Sequence, residues 1–398
     1  MRFRNTTGWS FILIVAFVAA LPAPVSRQSP VTAANPTASA EESLDPLFPI
    51  YESGKCGFMD REGKIMVKPQ FDLLDHCMNA DYAESCDCYY EIRPTAAPFF
   101  PAIKGEGLGL IDRLGKFVSA SRFEEMGQFS DGRIAAARGG KTGFLDQSGH
   151  FVIPPKYDMG RAFSEGLAAV SVNRKIGFIN RSGKYVIPPT YNGAGDFTGG
   201  LATVFLREKT GYIDKVGRMV VDPILDEARS FSEGLAAIRM GPRWGYIDRA
   251  GLVVIPLQFE AAQDFHEGRA AVKNREGFHY ITPSGKFTFP SQFEGASPFS
   301  EGLAAVTVGE KCGYILRDGA YSVEPRYEAC KDFSDGMAAV RIGRHWGYID
   351  KLGHVVIPSQ FDEAGQFEYG LAHVRIEGGY HSIEGWIDKT GSFIWQAK

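Results

Sequence analysis

The chain lacks a strong charge of either sign. Its 398 residues carry a formal net charge of −4, too small a field to recruit nucleic acid or an anionic membrane. It lacks long apolar runs beyond its first residues, so no later segment reaches the roughly 20 residues that a membrane-spanning helix needs. It also lacks room for helices. With 46 Gly and 22 Pro, the chain must turn often, and its repeating unit leaves no stretch of about 12 residues for a helix. Catalytic signatures are missing as well. No G-x-S-x-G, H-E-x-x-H or G-x-x-x-x-G-K-[S/T] pattern occurs. His150 and His354 stand where other units carry Lys116, Lys184, Arg218 and Lys286, which reads as surface variation of a basic position. No enzyme activity, metal or cofactor is expected.

What is present begins with an export pattern. Arg2 and Arg4 precede an apolar run of 13 residues from Trp9 to Leu21, short for a span and suited to a signal peptide. No Cys follows it to carry a lipid anchor. Residues 1–26 are expected to be the signal and 27–46, rich in Ser, Thr, Ala and Pro, a linker that cannot bury enough to order itself. The array occupies 47–398, and the expected location is periplasmic or secreted.

The body is periodic. Phe129, Phe163, Phe197, Phe231, Phe265, Phe299, Phe333 and Phe367 are each 34 residues apart, and a Gly follows three residues after each. A second register runs through Gly109, Gly143, Gly177, Gly211 and Gly245, meets His279 in the glycine slot, and resumes at Gly313 and Gly347. Gly57 and Gly385 extend it with steps of 52 and 38 residues, which implies ten units and two insertions. A period of this kind means stacked modules.

The unit from Phe231 to Asp264 reads as three strands: Leu235 to Arg239, Trp244 to Ile247 and Leu252 to Ile255. Asp248 and Gly251 mark a turn between the last two. Pro256 is expected to end the third strand, because it cannot donate to a ladder. A short Glu-Ala-like piece follows, read as one helical turn. The Phe231-type and Phe259-type rings are expected to stack as two ladders along the array.

These residues resemble the WG repeat family, whose pattern of Gly-Leu-Ala-x-Val, Trp-Gly-Tyr-Ile-Asp-x-x-Gly and Val-Ile-Pro-Pro-x-Phe is met at several units, with Trp-Gly itself at Trp244-Gly245 and Trp346-Gly347. The resemblance implies a binding or scaffolding module. Cys56, Thr142, Ile176, Thr210 and Cys312 fill the Trp slot elsewhere, so that slot reads as a tolerant, partly exposed packing position. The expected fold is all-β: about ten three-stranded units in an open solenoid or superhelix. A closed propeller-like ring is the alternative, disfavoured because propellers usually have four to eight four-stranded blades.

Two features stand apart from packing. The Asp-hairpin tips carry cations, notably Arg113, Lys116, Arg181, Lys184, Lys215, Arg218 and Arg249, while the Phe-Ser-Glu-Gly turns carry acids. Cations next to the hairpin Asp argue against calcium. Stacking is expected to lay the two turns out as separate edges, the basic one a candidate surface for an acidic protein or polymer. The second feature is an insertion at about 72–100, with His76-Cys77 and Cys86-Asp87-Cys88. In an oxidising compartment the six cysteines favour disulfides over zinc, with Cys312–Cys330 and Cys56–Cys77 as pairs and Cys86 with Cys88 remaining. The expected function is an exported, non-catalytic scaffold that recognises a protein or cell-envelope polymer. The alternative is an envelope enzyme using the insertion.

Overall fold

The computed structural model describes residues 44–72, 94–105, 107–119, 123–290, 292–378 and 381–397. Among them all regular structure is strand, gathered into nine antiparallel sheets. These sheets are the blades of a closed propeller ring. A representative blade holds Glu227–Ala228, Leu235–Met240, Arg243–Asp248 and Val253–Phe259, hydrogen-bonded in that order.

The unit is therefore four-stranded rather than three-stranded. The Glu-Ala piece is a two-residue strand, not a helical turn. Glu227 and Ala228 pair with Arg239 and Ile238, and this lead strand carries the chain from one blade into the next. Two residues then turn it. Ser232 and Leu235 exchange backbone hydrogen bonds of 2.8 and 3.0 Å, with Glu233 and Gly234 at φ of 51° and 86°. Both central residues are left-handed, the geometry that tight hairpins favour. The second turn follows the sequence reading. Asp248 Oδ1 accepts the N–H groups of Ala250 and Leu252 at 2.9 and 3.0 Å, so the recurring Asp is a turn residue.

Pro256 does not end the third strand, which continues to Phe259. That strand lies at a sheet edge, and the ladder shifts register on either side of Tyr246, so the proline nitrogen has no bond to make. The bulge brings the edge backbone onto Gly245. A Cβ there would lie 2.6 Å from the Ile255 carbonyl oxygen, and the recurring Gly answers this close approach. His279 tests the point. Its sheet is the three-stranded one, and the edge segment is reduced to the isolated bridges Phe278–Phe293 and Ile281–Phe287.

Ten sequence units give nine sheets because the first sheet is five-stranded and holds both the Gly57 and the Gly109 hairpins, joined through the pair Asp72–Ile103. The open solenoid is corrected to a ring by what the first and last sheets do. Phe48, Ile50 and Met59 share a buried cluster with Leu371 and Trp386. Trp386 Nε1 donates to the Pro49 carbonyl at 2.7 Å, across 337 residues, and Phe48 lies edge-on to the same indole. A unit expected to end in solvent buries its terminal face on the opposite terminus.

The core lies between sheets. Tyr246 and Phe259 pack with Phe265 and Val272 of the following blade. Phe231-type rings meet an aromatic ring of the preceding blade edge-on, a tyrosine in Tyr212–Phe231, Tyr246–Phe265 and Tyr314–Phe333 at 5.2, 5.0 and 4.8 Å and a phenylalanine in Phe144–Phe163 and Phe178–Phe197. The hydroxyls of those tyrosines donate to the carbonyls of Arg229, Gln263 and Lys331 in the next blade. The two aromatic rows are thus one interface repeated. The Trp slot is a packing position as expected, half-buried at Cys56 and Trp346 but buried at most other units. Trp244 is buried with Arg229 and Arg239 over its ring, and Thr210 in the same slot is fully buried.

Candidate functional site

The acidic and basic turns do not form separate edges. Among the described residues they meet at five blade junctions, with the acid of one blade against the hairpin-tip cation of the next. Glu165 accepts the N–H groups of Gly199 and Gly200 at 2.7 and 3.0 Å and pairs with Lys215 at 2.9 Å. Asp131 takes Gly166 N–H and Arg181 in the same way. Glu267 takes Gly302 and Arg317, Glu301 takes Gly336 and Lys351, and Asp335 takes Gly370 and Lys389. The first turn position holds the acid in the left-handed region, φ 51–54°, and the next blade's backbone holds the carboxylate. A serine beside it repeats the contact: Ser130, Ser164, Ser232, Ser300 and Ser334 donate to the carbonyls of Phe163, Phe197, Phe265, Phe333 and Phe367.

Burial works against ionising Glu165, but hydrogen bonds from Lys215 and from the Gly200 and Gly199 amides outweigh it and hold its pKa below the ordinary value. Glu267 behaves alike, with burial opposed by Arg317 and Gly302. Exposed ion pairs contribute at most about 1 kcal/mol each. The clasp's consequence is therefore mainly positional, fixing each blade against its neighbour.

This leaves the expected basic edge largely spent. Arg181 and Lys215 are clasped, and Arg218 pairs with its own turn at Asp214. Arg113 donates to the carbonyls of Ala97 and Asp45. Lys116 and Lys184 are exposed, and neither forms an ion pair among the described residues. Arg249 is exposed and meets no carboxylate among the described residues, because Gly199 stands in the acid slot it faces. The sequence carried that signal: the acid slot of these turns holds Gly199 in Phe197-Thr198-Gly199-Gly200, as it holds Tyr369 in Phe367-Glu368-Tyr369-Gly370.

Cys312 and Cys330 form a disulfide with Cα atoms 6.1 Å apart. It joins strand Lys311–Leu316 to the lead strand Ala329–Cys330 of the next blade, where Trp244 and Ala262 pack in the equivalent junction. Cys56 is not bridged. Its free thiol turns to its own strand, with sulfur 3.6 Å from the Gly57 carbonyl, and burial pushes its pKa up to about 11. Cys77, Cys86 and Cys88, with most of the insertion, lie outside the described residues.

Sequence reasoning missed an apolar stripe. Tyr185, Met219, Val253, Phe287, Tyr321 and Val355 are spaced at 34 residues and all are exposed, by 37–55%. Each opens the edge segment of its blade. The period alone places them in register; their exposure depends on the edge position.

The sequence model of the WG containing repeat matches residues 57–76, 109–141, 143–175, 176–209, 211–241, 244–277, 280–312, 313–344 and 346–380. No curated protein matches the chain. Among solved structures it is similar to a eukaryotic initiation factor, at 12% identity and TM-score 0.48 over 68% of this chain and 85% of that one. It is also similar to Porphyromonas gingivalis dipeptidyl peptidase 4, at 9% and 0.40 over 75% and 58%. These likenesses concern shape alone.

Proposed function

The chain belongs to the WG-repeat family, and from that premise we propose that it is an exported, non-catalytic scaffold that binds a protein or cell-envelope polymer through its repeat surface. The observation that carries this reading is the stripe at Tyr185, Met219, Val253, Phe287, Tyr321 and Val355. Single exposed apolar residues are ordinary, but six in register on successive blades are not scatter, and extended apolar surface marks contact sites. The contact is thus expected through the edge strands, not through the clasped cations. The Cys312–Cys330 disulfide supports an oxidising compartment.

The test is affinity capture from cell-envelope extract with the full chain, compared with a Val253→Glu, Val355→Glu double variant of equal stability. A specific partner retained by the parent and lost by the variant supports the reading. Capture that is indifferent to the double substitution contradicts it.

A further inference from the structure

The junction at Gly199 is built like the clasped ones and left unfilled. Between the blade ending at Leu225 and the blade beginning at Glu227, the turn Phe197-Thr198-Gly199-Gly200 replaces the Phe-Ser-acid-Gly of the clasped junctions. Among the described residues, three groups of the following blade are then without the partners that their equivalents have. The Gly234 N–H corresponds to those of Gly166, Gly200, Gly268, Gly302, Gly336 and Gly370, each of which donates to a carboxylate of the preceding blade. The Arg249 guanidinium corresponds to Arg181, Lys215, Arg317, Lys351 and Lys389, each paired with that same carboxylate. The Phe231 carbonyl corresponds to those of Phe163, Phe197, Phe265, Phe333 and Phe367, each of which accepts a serine hydroxyl.

The guanidinium has not moved away to another acid. It lies over Gly199, with Nη2 2.8 Å from where a Cβ on that residue would sit. It therefore stays at the mouth of the slot that a glutamate side chain enters in the other junctions. Glu233 in the adjacent turn is engaged elsewhere, on Gly268 N–H, and does not fill the gap.

We propose that this junction is a binding site for an acidic peptide segment of a partner protein, in which a hydroxyl residue followed by Glu or Asp supplies from outside what Thr198 and Gly199 withhold. The ligand's carboxylate accepts from Arg249 and Gly234 N–H, and its hydroxyl donates to the Phe231 carbonyl. The ring's own clasps define the recognition chemistry: a planar carboxylate against a guanidinium and an amide, with a neutral donor one residue earlier. A uronate of an envelope polysaccharide offers the carboxylate but not the paired donor at peptide spacing, so the peptide fits better. The proposal rests on the binding reading above and adds the partner's chemistry.

The test uses the full chain and three probes. These are the pentapeptide Phe-Ser-Glu-Gly-Leu, which is the chain's own turn sequence at 163–167, 231–235 and 299–303, its Gln analogue, and oligogalacturonate. Calorimetric or fluorescence titration at low salt is expected to show binding of the Glu peptide and binding at least about tenfold weaker for the Gln analogue, the loss of one charge-assisted contact. Arg249→Ala is expected to abolish Glu-peptide binding. Gly199→Glu is expected to block it by filling the slot and to raise the melting temperature, because a Glu or Asp occupies this position at similar φ in six other turns. Glu-peptide binding unchanged in both variants overturns the site. Oligogalacturonate bound in preference to the peptide overturns the protein assignment. A partner still captured by both variants, with no peptide binding by the parent, sinks this inference while leaving the scaffold reading standing. Peptide bound by the parent, with no partner captured from the envelope, does the reverse.

Discussion

Trp386 and Pro49 are joined by a 2.7 Å hydrogen bond from the indole N–H to the backbone carbonyl, across 337 residues of chain. The bond is buried, and the first and last blades share the cluster around it. Replacing Trp386 with Phe leaves a buried carbonyl without its donor and is expected to cost about 1–3 kcal/mol. Trp386→Ala adds a cavity and is expected to cost about 3–5 kcal/mol. Equilibrium urea unfolding of both variants checks the order. Equal, negligible losses would mean that the seam is not packed as described.

Gly245→Ala is expected to destabilise by about 1–3 kcal/mol, because the added methyl would lie 2.6 Å from the Ile255 carbonyl oxygen and must push the edge strand away. Hydrogen exchange localises the effect. Protection should fall across 253–259 and be retained at 235–240.

Tyr246→Phe removes the hydroxyl that donates to Gln263 across the junction at 2.7 Å. A loss near 1 kcal/mol is expected from denaturant midpoints. Phe144 and Phe178 occupy the equivalent position without a hydroxyl, against Phe163 and Phe197, so the fold is expected to persist and only its stability to change.

The clasp makes stability depend on acid. Glu165 and Glu267 have folded pKa values below their ordinary ones. Their contribution is thus present above the unfolded value of about 4.3 and is lost as pH falls through the depressed folded values. A Glu165→Gln, Glu267→Gln double variant is expected to be less stable than the parent at pH 7 and to lose less between pH 5 and pH 3. Unfolding midpoints at the three pH values decide it; parallel curves for parent and variant would contradict the clasp.

Reducing the Cys312–Cys330 disulfide is expected to lower stability by about 3 kcal/mol, since it closes a loop of 18 residues between neighbouring blades. Thermal melting with and without reductant, set against a Cys312→Ala, Cys330→Ala variant insensitive to reductant, is the check.

Much of this molecule was legible because its constraints are local. Asp248 and Gly251 declared a hairpin, the recurring Phe and Gly declared the period, and the spacing of Cys312 and Cys330 within one unit suggested their pairing. What stayed hidden lies between units. Lys215 meets Glu165 fifty residues away, an offset that is not the repeat length, because each tip touches the blade before its own. A two-residue strand such as Glu227–Ala228 is too short to show a period. Closure depends on the small rotation between successive blades, which no single unit spells out. The unfilled slot at Gly199 was visible as an exception, but gained meaning only when the other slots were seen occupied.

The closed ring is most directly tested at Trp386. Its indole N–H, identified in the NMR spectrum by its loss in Trp386→Phe, should exchange with deuterium only on global unfolding, in step with core amides such as those of 236–238. Exchange at the rate of a solvent-exposed indole, with the strand amides still protected, would show the first and last blades apart and contradict the ring.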